Sequence, residues 1–425
     1  MVNTSTWDWD TGKKAVADYA EWQNTYDYVE EPYVSPDGES IAAIVKVDET
    51  EFNVRQNGRL WEDTFDKIWY LRFSPDNRLT ALVSSLGEWT LAVDGRIWQN
   101  KFEFVWNTLF GSDGADIVLA AQKGRQYFAV RNDTPWEKGY FALSNLTLSP
   151  DGKTEAAAVQ TVAFNEGEIF KFQEGCFSAA VGGRVWDANF VNVWEMSFSS
   201  DARRVAAEVR VSLYDYTVAV DGVPWQQTYS CVWRPRFSPL DGSVVAPVRQ
   251  AGLWSLVCDG QPLWDRSFEQ LWHHMFSPDG RRVAAVVASK YGRWTVCIDG
   301  SPWKATFGDL VTDALFSPDG RHVACIGKEK NRWTLCVDGK PWDDTFDMIW
   351  RPVFSPDGRH VAAKAEKNGT YTVVIDGRPL PQTYRQAFDP VFSPDGEKIL
   401  IKAIEGGSQQ ATYVRRVLAL RDLMG

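Results

Sequence analysis

The tetrapeptide Ser-Pro-Asp-Gly returns along the whole chain at a spacing of roughly 39 residues, and this period restricts the possible folds more than any other feature. Proline presets φ in a tight turn, aspartate bonds nearby backbone N–H groups, and glycine accepts the exit conformation. The sequence therefore predicts ten units, each built around a turn between antiparallel strands. Unaltered copies begin at Ser35, Ser149, Ser277, Ser317, Ser355 and Ser393, and altered copies at Ser74, Gly111, Ser199 and Ser238.

The segments between these turns have the pattern of short strands. A small apolar strand follows each turn, as in residues 281–286, and a second strand ends in Asp-Gly, as in residues 294–300. Four short strands per unit, with no helical period between them, predict the blades of a β-propeller. Five positions before the Asp-Gly aspartate stands an aromatic residue in nine units: Phe52, Trp89, Tyr127, Phe177, Tyr216, Trp254, Trp294, Trp333 and Tyr371.

The 21 tryptophans follow the same repeat, apart from Trp7 and Trp9. Beyond the Asp-Gly turn the unit reads Trp-x-x-Thr-Phe/Tyr-x-x-Ile/Val-Trp, as in residues 61–69 and 342–350. Aromatic residues that return to one place in each sheet suit the stacking of blades, so we expect a core role rather than a ligand cage or an electron relay. The first tryptophan of this motif is Trp22, Trp61, Trp98, Trp136, Trp186, Trp225, Trp264, Trp303 or Trp342, and the second is Trp69, Trp106, Trp194, Trp233, Trp272 or Trp350.

The two ends of the chain are complementary in phase. Residues 17–22 match the end of a unit, whereas the last unit, which begins at Ser393, lacks that segment. We therefore expect an all-β fold, a single ring of ten four-stranded blades over residues 1–425, in which an N-terminal strand completes the C-terminal blade. The alternative is two five-bladed propellers, residues 1–185 and 186–425, with the crossover in the degraded stretch 134–200.

Charge and composition exclude several classes of protein. The net charge of −11 and the absence of basic runs weigh against nucleic-acid binding. Neither a signal peptide nor an apolar run of membrane-spanning length is present, so we expect a cytoplasmic, soluble chain with no direct membrane span. The six cysteines form no C-x-x-C pair, and Cys258, Cys297 and Cys336 occupy equivalent strand positions, which favours buried thiols in a reducing compartment.

Motifs for catalysis and metal binding are missing. The chain has no G-x-S-x-G, P-loop or H-E-x-x-H, and its turn aspartates lack the spacing of a calcium loop. His322 and His360 occupy the same repeat position, just after the turn, and should be solvated. For His273 and His274 we identify no further residues that could complete a metal site. We expect no catalytic residue, metal or cofactor, and hence no enzyme. An active site at the ring mouth remains as the alternative.

The repeat resembles a known family. Residues 276–281, 316–321 and 354–359, which read Phe-Ser-Pro-Asp-Gly-Arg, are similar to the TolB-type, WD40-like (PD40) propeller repeat, over about residues 15–420. Together with the tryptophan motif, the chain resembles the tryptophan-rich subunit of transmembrane redox complexes of sulfate-reducing bacteria. That resemblance implies a cofactor-free scaffold on the cytoplasmic side of an electron-transport complex of sulfate respiration. Its partners would be iron–sulfur, cytochrome b and multihaem cytochrome c subunits. The alternative is a TolB-like propeller that binds a peptide or a small ligand.

Apolar residues outside the repeat register are free to serve an interface. They lie at the N-terminus and in the long insertion after residue 160, next to the acids Asp8, Asp10, Glu166 and Glu168. Aromatic anchors within a polar rim are typical of protein interfaces. The alternative is that the insertion only lengthens a hairpin and packs on its own blade. The predicted partner-binding residues are Trp7, Trp9, Phe164, Ile169, Phe170 and Phe172.

Overall fold

A computed structural model describes residues 4–165, 167–407 and 410–423. The strands form ten separate sheets, which we call blades 1 to 10. Before the first blade lie a 3-10 helix (Thr4–Thr6), β1 (Gly12–Asp18) and α1 (Tyr19–Thr25). None of the helices in these three described ranges is long and apolar enough to cross a membrane.

Blades 1 to 5 follow one another along the chain. Blade 1 contains β2 (Tyr33–Val34), β3 (Ile41–Lys46), β4 (Phe52–Gln56) and β5 (Arg59–Leu60). Blade 2 contains β6 (Lys67–Phe73), β7 (Leu79–Ser85), β8 (Glu88–Val93) and β9 (Arg96–Ile97). Blade 3 contains β10 (Phe104–Phe110), β11 (Ile117–Lys123), β12 (Gln126–Arg131) and β13 (Thr134–Pro135). Blade 4 contains β14 (Ala142–Leu148), β15 (Glu155–Gln160), α2 (Ile169–Glu174), β16 (Phe177–Val181) and β17 (Arg184–Val185). Blade 5 contains β18 (Asn192–Phe198), β19 (Val205–Arg210), β20 (Tyr216–Val220) and β21 (Val223–Pro224).

Blades 6 to 10 repeat the arrangement, and in three of them the first strand is interrupted. Blade 6 contains β22 (Cys231–Val232), β23 (Arg236–Phe237), β24 (Val244–Gln250), β25 (Leu253–Cys258) and β26 (Gln261–Pro262). Blade 7 contains β27 (Gln270–Phe276), β28 (Val283–Lys290), β29 (Arg293–Ile298) and β30 (Ser301–Pro302). Blade 8 contains β31 (Leu310–Phe316), β32 (Val323–Glu329), β33 (Arg332–Val337) and β34 (Lys340–Pro341). Blade 9 contains β35 (Met348–Ile349), β36 (Val353–Phe354), β37 (Val361–Lys367), β38 (Thr370–Ile375) and β39 (Arg378–Pro379). Blade 10 contains β40 (Gln386–Ala387), β41 (Val391–Phe392), β42 (Lys398–Glu405) and β43 (Thr412–Ala419), followed by a 3-10 helix (Leu420–Asp422).

The N-terminal strand closes the ring. β1 pairs antiparallel with β43, from Gly12 opposite Val417 to Asp18 opposite Thr412, and so supplies the fourth strand of blade 10. The predicted single ring of ten blades is thereby confirmed. The chain then enters α1, where the Asp18 carboxylate accepts a hydrogen bond from the backbone N–H of Glu21 at 3.2 Å, an N-cap.

The Ser-Pro-Asp-Gly turns owe their sequence to hydrogen bonds. In blade 8 the Ser317 hydroxyl donates to the Asp319 carboxylate at 2.5 Å and accepts from the backbone N–H of His322 at 3.0 Å. Gly320 has φ +73°, which a residue with a side chain rarely adopts. The hydrogen bond from Ser317 is also the main reason that the pKa of Asp319 lies below its usual value. These turns join the first and second strands of each blade.

The Asp-Gly turns join the third and fourth strands, and they hold the first tryptophan of the repeat. The Asp338 carboxylate accepts from the backbone N–H of Val323 at 2.9 Å and ties the turn to the second strand. At Gly339, where φ is +75°, an added Cβ would meet Cγ of Trp303 from the preceding blade at 3.1 Å. Glycine is therefore required there both for the backbone conformation and for the tryptophan that packs on it.

Ten hydrophobic clusters fill the spaces between successive blades. The cluster between blades 4 and 5 joins Ala156 and Ala158 to Phe190 and Val193, so packing is continuous across the boundary at residues 185 and 186. The cluster between blades 10 and 1 includes Trp22 of α1. Small residues on the second strands allow the sheets to approach closely, as the repeat predicted.

The first strand of each blade is innermost and borders the central channel. First strands of neighbouring blades contact one another, as β14 and β18 do. Hydrogen bonds also run between them: the Arg72 guanidinium of blade 2 donates to the carbonyl of Thr108 in blade 3 at 2.9 Å. The ring thus has a channel, an outer edge and two faces. We call the face with the Ser-Pro-Asp-Gly turns the turn face, and the face with the hairpins between second and third strands the hairpin face.

Candidate functional site

The second tryptophan of the repeat lies at the margin of the core rather than within it, contrary to our prediction: Trp69 and Trp233 are exposed, and Trp106 and Trp272 are half-buried against the clusters between blades. The second tryptophan stacks on the third-strand aromatic residue of its own blade at the hairpin face, and Trp69 keeps 47% of its surface exposed. The reason is its place near the start of the innermost strand, beyond the Val and Ala layer that fills the space between blades. Ring-centroid distances are 4.6 Å for Trp69–Trp89, 6.0 Å for Trp106–Tyr127, 5.9 Å for Trp194–Tyr216, 5.4 Å for Trp233–Trp254, 4.3 Å for Trp272–Trp294 and 5.6 Å for Trp350–Tyr371.

In blades 2 and 3 these rings form one connected aromatic cluster. Phe104, the first residue of β10, contacts Trp69 at 6.0 Å and Trp106 at 6.0 Å, and so bridges blades 2 and 3. Single exposed apolar residues are common on proteins, but a contiguous exposed patch marks an interaction site. We define the aromatic arc as eight residues of blades 1 to 4. Tyr28 and Phe52 share a cavity with Trp69. Phe141 is 49% exposed directly after Tyr140, the bridge partner of Tyr127. The eight residues are Tyr28, Phe52, Trp69, Trp89, Phe104, Trp106, Tyr127 and Phe141.

The insertion of blade 4 adds aromatic side chains to the same face. Blade 4 carries Ser144 where other blades carry the second tryptophan, and Phe164 from the insertion packs on the third-strand Phe177 at 6.5 Å. Phe172 packs on Phe164 at 5.4 Å, whereas Phe170 on α2 is 81% exposed.

Some residues of the insertion therefore pack on their own blade, and others remain exposed for an interface. Phe164 and Phe172 pack on their own blade, while Ile169 and Phe170 project from α2 at the hairpin face. α2 replaces the extended hairpin that the alternative assumed. Glu166, expected in the polar rim, lies outside the described residues.

Trp7 and Trp9 lie at the opposite end of the ring. Their rings stack at 6.1 Å, and the Trp9 carbonyl accepts a hydrogen bond from the Lys398 ammonium, just after the last Ser-Pro-Asp-Gly turn, at 2.9 Å. They belong to the turn face, because the Gly12 end of β1 pairs with the C-terminal end of β43. The structure does not bring the six predicted partner-binding residues into one surface.

Polar residues recur on the innermost strands, which border the channel, a feature that our sequence prediction did not include. Four positions before the first residue of every turn, each blade has a polar residue on or beside its innermost strand. The signal was present in the repeat, since this position is polar ten times. These residues are Glu31, Tyr70, Asn107, Asn145, Glu195, Arg234, His273, Asp313, Arg351 and Asp389.

Several buried or half-buried polar groups in blades 5 to 7 lack partners among the described residues. The Arg236 guanidinium and the Glu208 carboxyl make no hydrogen bond or ion pair there, and Nε2 of His274 is buried without a partner. Burial lowers the pKa of His274 to about 3, so its ring is neutral at pH 7. Burial, and secondly the charge of Glu195, raises the pKa of Glu208 to about 8.

The remaining histidines were expected to be solvated but are partly buried beside aspartates, and Cys231 and Cys258 are only partly buried. His322 and His360 lie at turn edges, where their Nδ1 atoms contact Asp338 at 2.6 Å and Asp376 at 2.7 Å. The six cysteines are free thiols. Within residues 4–165, 167–407 and 410–423, no cluster of three or more His, Cys, Asp or Glu side chains is arranged to hold a metal ion.

Comparisons with known proteins give distant similarities of fold. No family model and no curated protein matches the chain. A solved structure described as the eukaryotic initiation factor is 12% identical, with a TM-score of 0.46, and the match covers 89% of this chain and 96% of that one. The β-propeller domain of Myceliophteria thermophila Cps50 (Swd1) is 11% identical, with a TM-score of 0.31 over 65% of this chain and 96% of that one. Neither similarity bears on what this chain does.

Because Phe172 packs on its blade and Phe170 is exposed, replacement of these two phenylalanines should affect stability differently. Phe172→Ser should lower the free energy of unfolding by ~1–3 kcal/mol, because it removes a packed ring. Phe170→Ser should change it by less than about 0.5 kcal/mol, since that ring is exposed. Urea unfolding of the two variants measures both values, and equal losses would show that Phe170 also packs on the blade.

Proposed function

We propose that this chain is a non-catalytic propeller scaffold that binds a partner protein on its hairpin face. The observation that carries the proposal is the aromatic arc, a set of rings on the hairpin face of blades 1 to 4, most of them partly exposed and those of blades 2 and 3 in direct contact. Rings such as Trp69 and Phe104 are already held by their neighbours, so binding costs little side-chain entropy. Pre-ordered aromatic anchors of this kind dominate the energy of many protein interfaces.

The surroundings of the arc suit a protein partner. Lys67, Glu88 and Glu103 are exposed beside the rings and supply the polar rim that interfaces have. Ile169 and Phe170 on α2 add two exposed apolar side chains to the hairpin face of blade 4. With a net charge of −11, the chain favours a partner that carries basic groups.

The resemblance to the tryptophan-rich redox subunit suggests which partner this is. The chain is then a cytoplasmic, cofactor-free accessory subunit, held at the membrane by an iron–sulfur subunit beside cytochrome b and multihaem cytochrome c subunits. The stacked tryptophans have a structural and docking role in this proposal, and no electron passes through them.

Affinity capture from native membranes tests the proposal. Trp69→Ala combined with Phe104→Ala should weaken capture of the partner about 30-fold or more, because two central anchors are removed. The matched control is Leu60→Ala combined with Ile97→Ala, which removes exposed apolar residues from the outer strands β5 and β9 of blades 1 and 2. Equal capture by both variants would refute docking on the arc. Recovery of other proteins in place of redox subunits would refute the assignment of this chain to a membrane redox complex.

A second candidate function, binding of a small ligand in the channel, is favoured by the unpartnered Nε2 of His274 on the innermost strand β27, which lies close to the Arg236 guanidinium. A ligand held there would supply the missing hydrogen bond. Arg236→Gln should then abolish the ligand-induced rise in melting temperature in a screen of anionic metabolites. No rise for any anion with the unmodified chain would dismiss this candidate.

A further inference from the structure

A cavity of about 760 Å³ opens on the hairpin face between blades 1 and 2, at one end of the aromatic arc. Its apolar walls are Tyr28, Ile44, Phe52, Ile68 and Trp69, and Glu30 borders it as well. Tyr28 and Phe52 meet edge to face with a centroid distance of 6.4 Å. The cavity thus combines three aromatic rings with a carboxyl group.

The cavity exists because blade 1 departs from the repeat. Six blades place tryptophan at the position that Glu30 occupies, and there the indole covers the third-strand aromatic residue. The other exceptions are compensated. Phe164 covers Phe177 in blade 4, and the Lys328 ammonium lies 4.9 Å from the Trp333 ring in blade 8.

Blade 10 is compensated as well, because Phe388 packs on Tyr413 at 6.1 Å. In blade 1 the smaller Glu30 leaves space beside Phe52, where an indole would otherwise lie.

The carboxyl group of Glu30 has no internal partner. Among the described residues this carboxyl group makes no hydrogen bond and no ion pair, whereas the backbone N–H of Glu30 donates to the carbonyl oxygen of Ile44 at 2.9 Å. Burial, and secondly the charge of Glu31, raises the pKa of Glu30. A cation beside the carboxylate would relieve this cost, and the faces of aromatic rings attract the same cation.

We propose that this cavity receives the ammonium group of a lysine side chain from the docked partner, with Glu30 as the counter-ion and Tyr28, Phe52 and Trp69 as the walls. The inference rests on the proposed function, since it identifies the chemistry of an anchor within the same docking face. The aromatic rings accept the aliphatic stem of the lysine, and the carboxylate neutralises its charge.

The charges at the rim agree with a cationic guest. Asp27 and Glu49 border the cavity together with Glu30, against Lys46 and Lys67, so the acids outnumber the bases. A guest ammonium group would balance the remaining negative charge.

A matched pair of probes tests the proposal on the full chain. Nα-acetyl-lysine methylamide, whose side chain keeps its free ammonium group, and Nα-acetyl-norleucine methylamide differ only in that group, and ligand-observed NMR measures weak binding of both. The lysine probe should bind about fivefold to tenfold more tightly than the norleucine probe. Glu30→Gln should remove this preference while leaving the melting temperature nearly unchanged. Equal binding of the two probes would overturn the proposal.

Two further variants locate the binding site. Glu31→Gln, which neutralises the adjacent acid, should keep the lysine preference. Glu30→Trp restores the repeat residue, and it should fill the cavity, abolish probe binding and raise the melting temperature. Loss of the preference in Glu31→Gln, or its persistence in both Glu30 variants, would place the site elsewhere.

The outcomes for the cavity and for the docking face are separable. If Glu30→Gln loses the lysine preference but Trp69→Ala with Phe104→Ala still captures the partner, the cavity is upheld and docking on the arc fails. If the arc variant loses the partner but the probes bind equally, docking on the arc is upheld and the lysine cavity fails.

Discussion

Deletion of residues 1–25 should lower the stability of the ring by several kcal/mol, with a fall in the midpoint of urea unfolding. The deletion removes β1, and β43 then has an unpaired edge. It also removes α1, whose Trp22 is only 1% exposed between blades 10 and 1. Burial of one such aromatic side chain contributes about 3 kcal/mol or more, and loss of the strand pairing adds to that figure.

The control is deletion of residues 1–6, which spares β1, α1 and the stacked pair Trp7 and Trp9. We expect this shorter deletion to leave the unfolding midpoint nearly unchanged. If the chain without residues 1–25 unfolds at the same urea concentration as the full chain, closure by β1 does not stabilise the ring.

Glu208→Gln should make the protein more stable at pH 9 by ~3–5 kcal/mol and leave its stability at pH 5 almost unchanged. Glu208 lies in β19, and burial raises the pKa of its carboxyl group from 4.5 to about 8. Between these two values the folded state binds a proton that the unfolded state has released. The contribution of Glu208 to stability therefore falls as the pH rises from 4.5 to about 8, and the full cost of the buried charge is present above pH 8.

The glutamine variant keeps the shape of the protonated carboxyl group but cannot ionise, so the difference between the two proteins isolates this one group. Urea unfolding at pH 5, 7 and 9 gives the three free energies. Glu88→Gln, at an exposed position of β8, serves as the control and should show no such trend. An equal effect of Glu208→Gln at pH 5 and pH 9 would mean that Glu208 remains charged in the folded protein throughout.

Local chemistry made much of the fold predictable. The Ser-Pro-Asp-Gly and Asp-Gly turns carry their own hydrogen bonds, so their positions define the blades without any long-range information. Ring closure was predictable as well, because the phase of the repeat at one end complements the other.

The site depended on distances that the repeat does not encode. Periodicity showed that Trp69 and its equivalents share one place in each blade, but it could not show that this place lies at the margin of the packed layer. It also could not show that Phe104, an aromatic residue where the equivalent positions of most other blades have none, bridges two blades. Likewise, Glu30 in place of tryptophan was visible in the sequence, but the cavity beside it depends on what the neighbouring side chains fill.

The sequence also could not predict on which face of the ring a residue lies. Trp7 and Phe170 both fall outside the repeat register, and a sequence gives no reason to assign them to opposite ends. The register of β1 against β43 decides the position of Trp7, and the hairpin between β15 and β16 decides that of Phe170.

Site-specific photo-crosslinking in the native host tests the central claim, docking on the hairpin face, most directly. A benzophenone amino acid replaces Phe141, which is 49% exposed on the aromatic arc, or Leu240, which is 60% exposed in the altered turn that begins at Ser238 on the turn face. We predict that the Phe141 position crosslinks to a single protein partner and that the Leu240 position does not. A partner crosslinked from Leu240 and not from Phe141 would contradict docking on the aromatic arc.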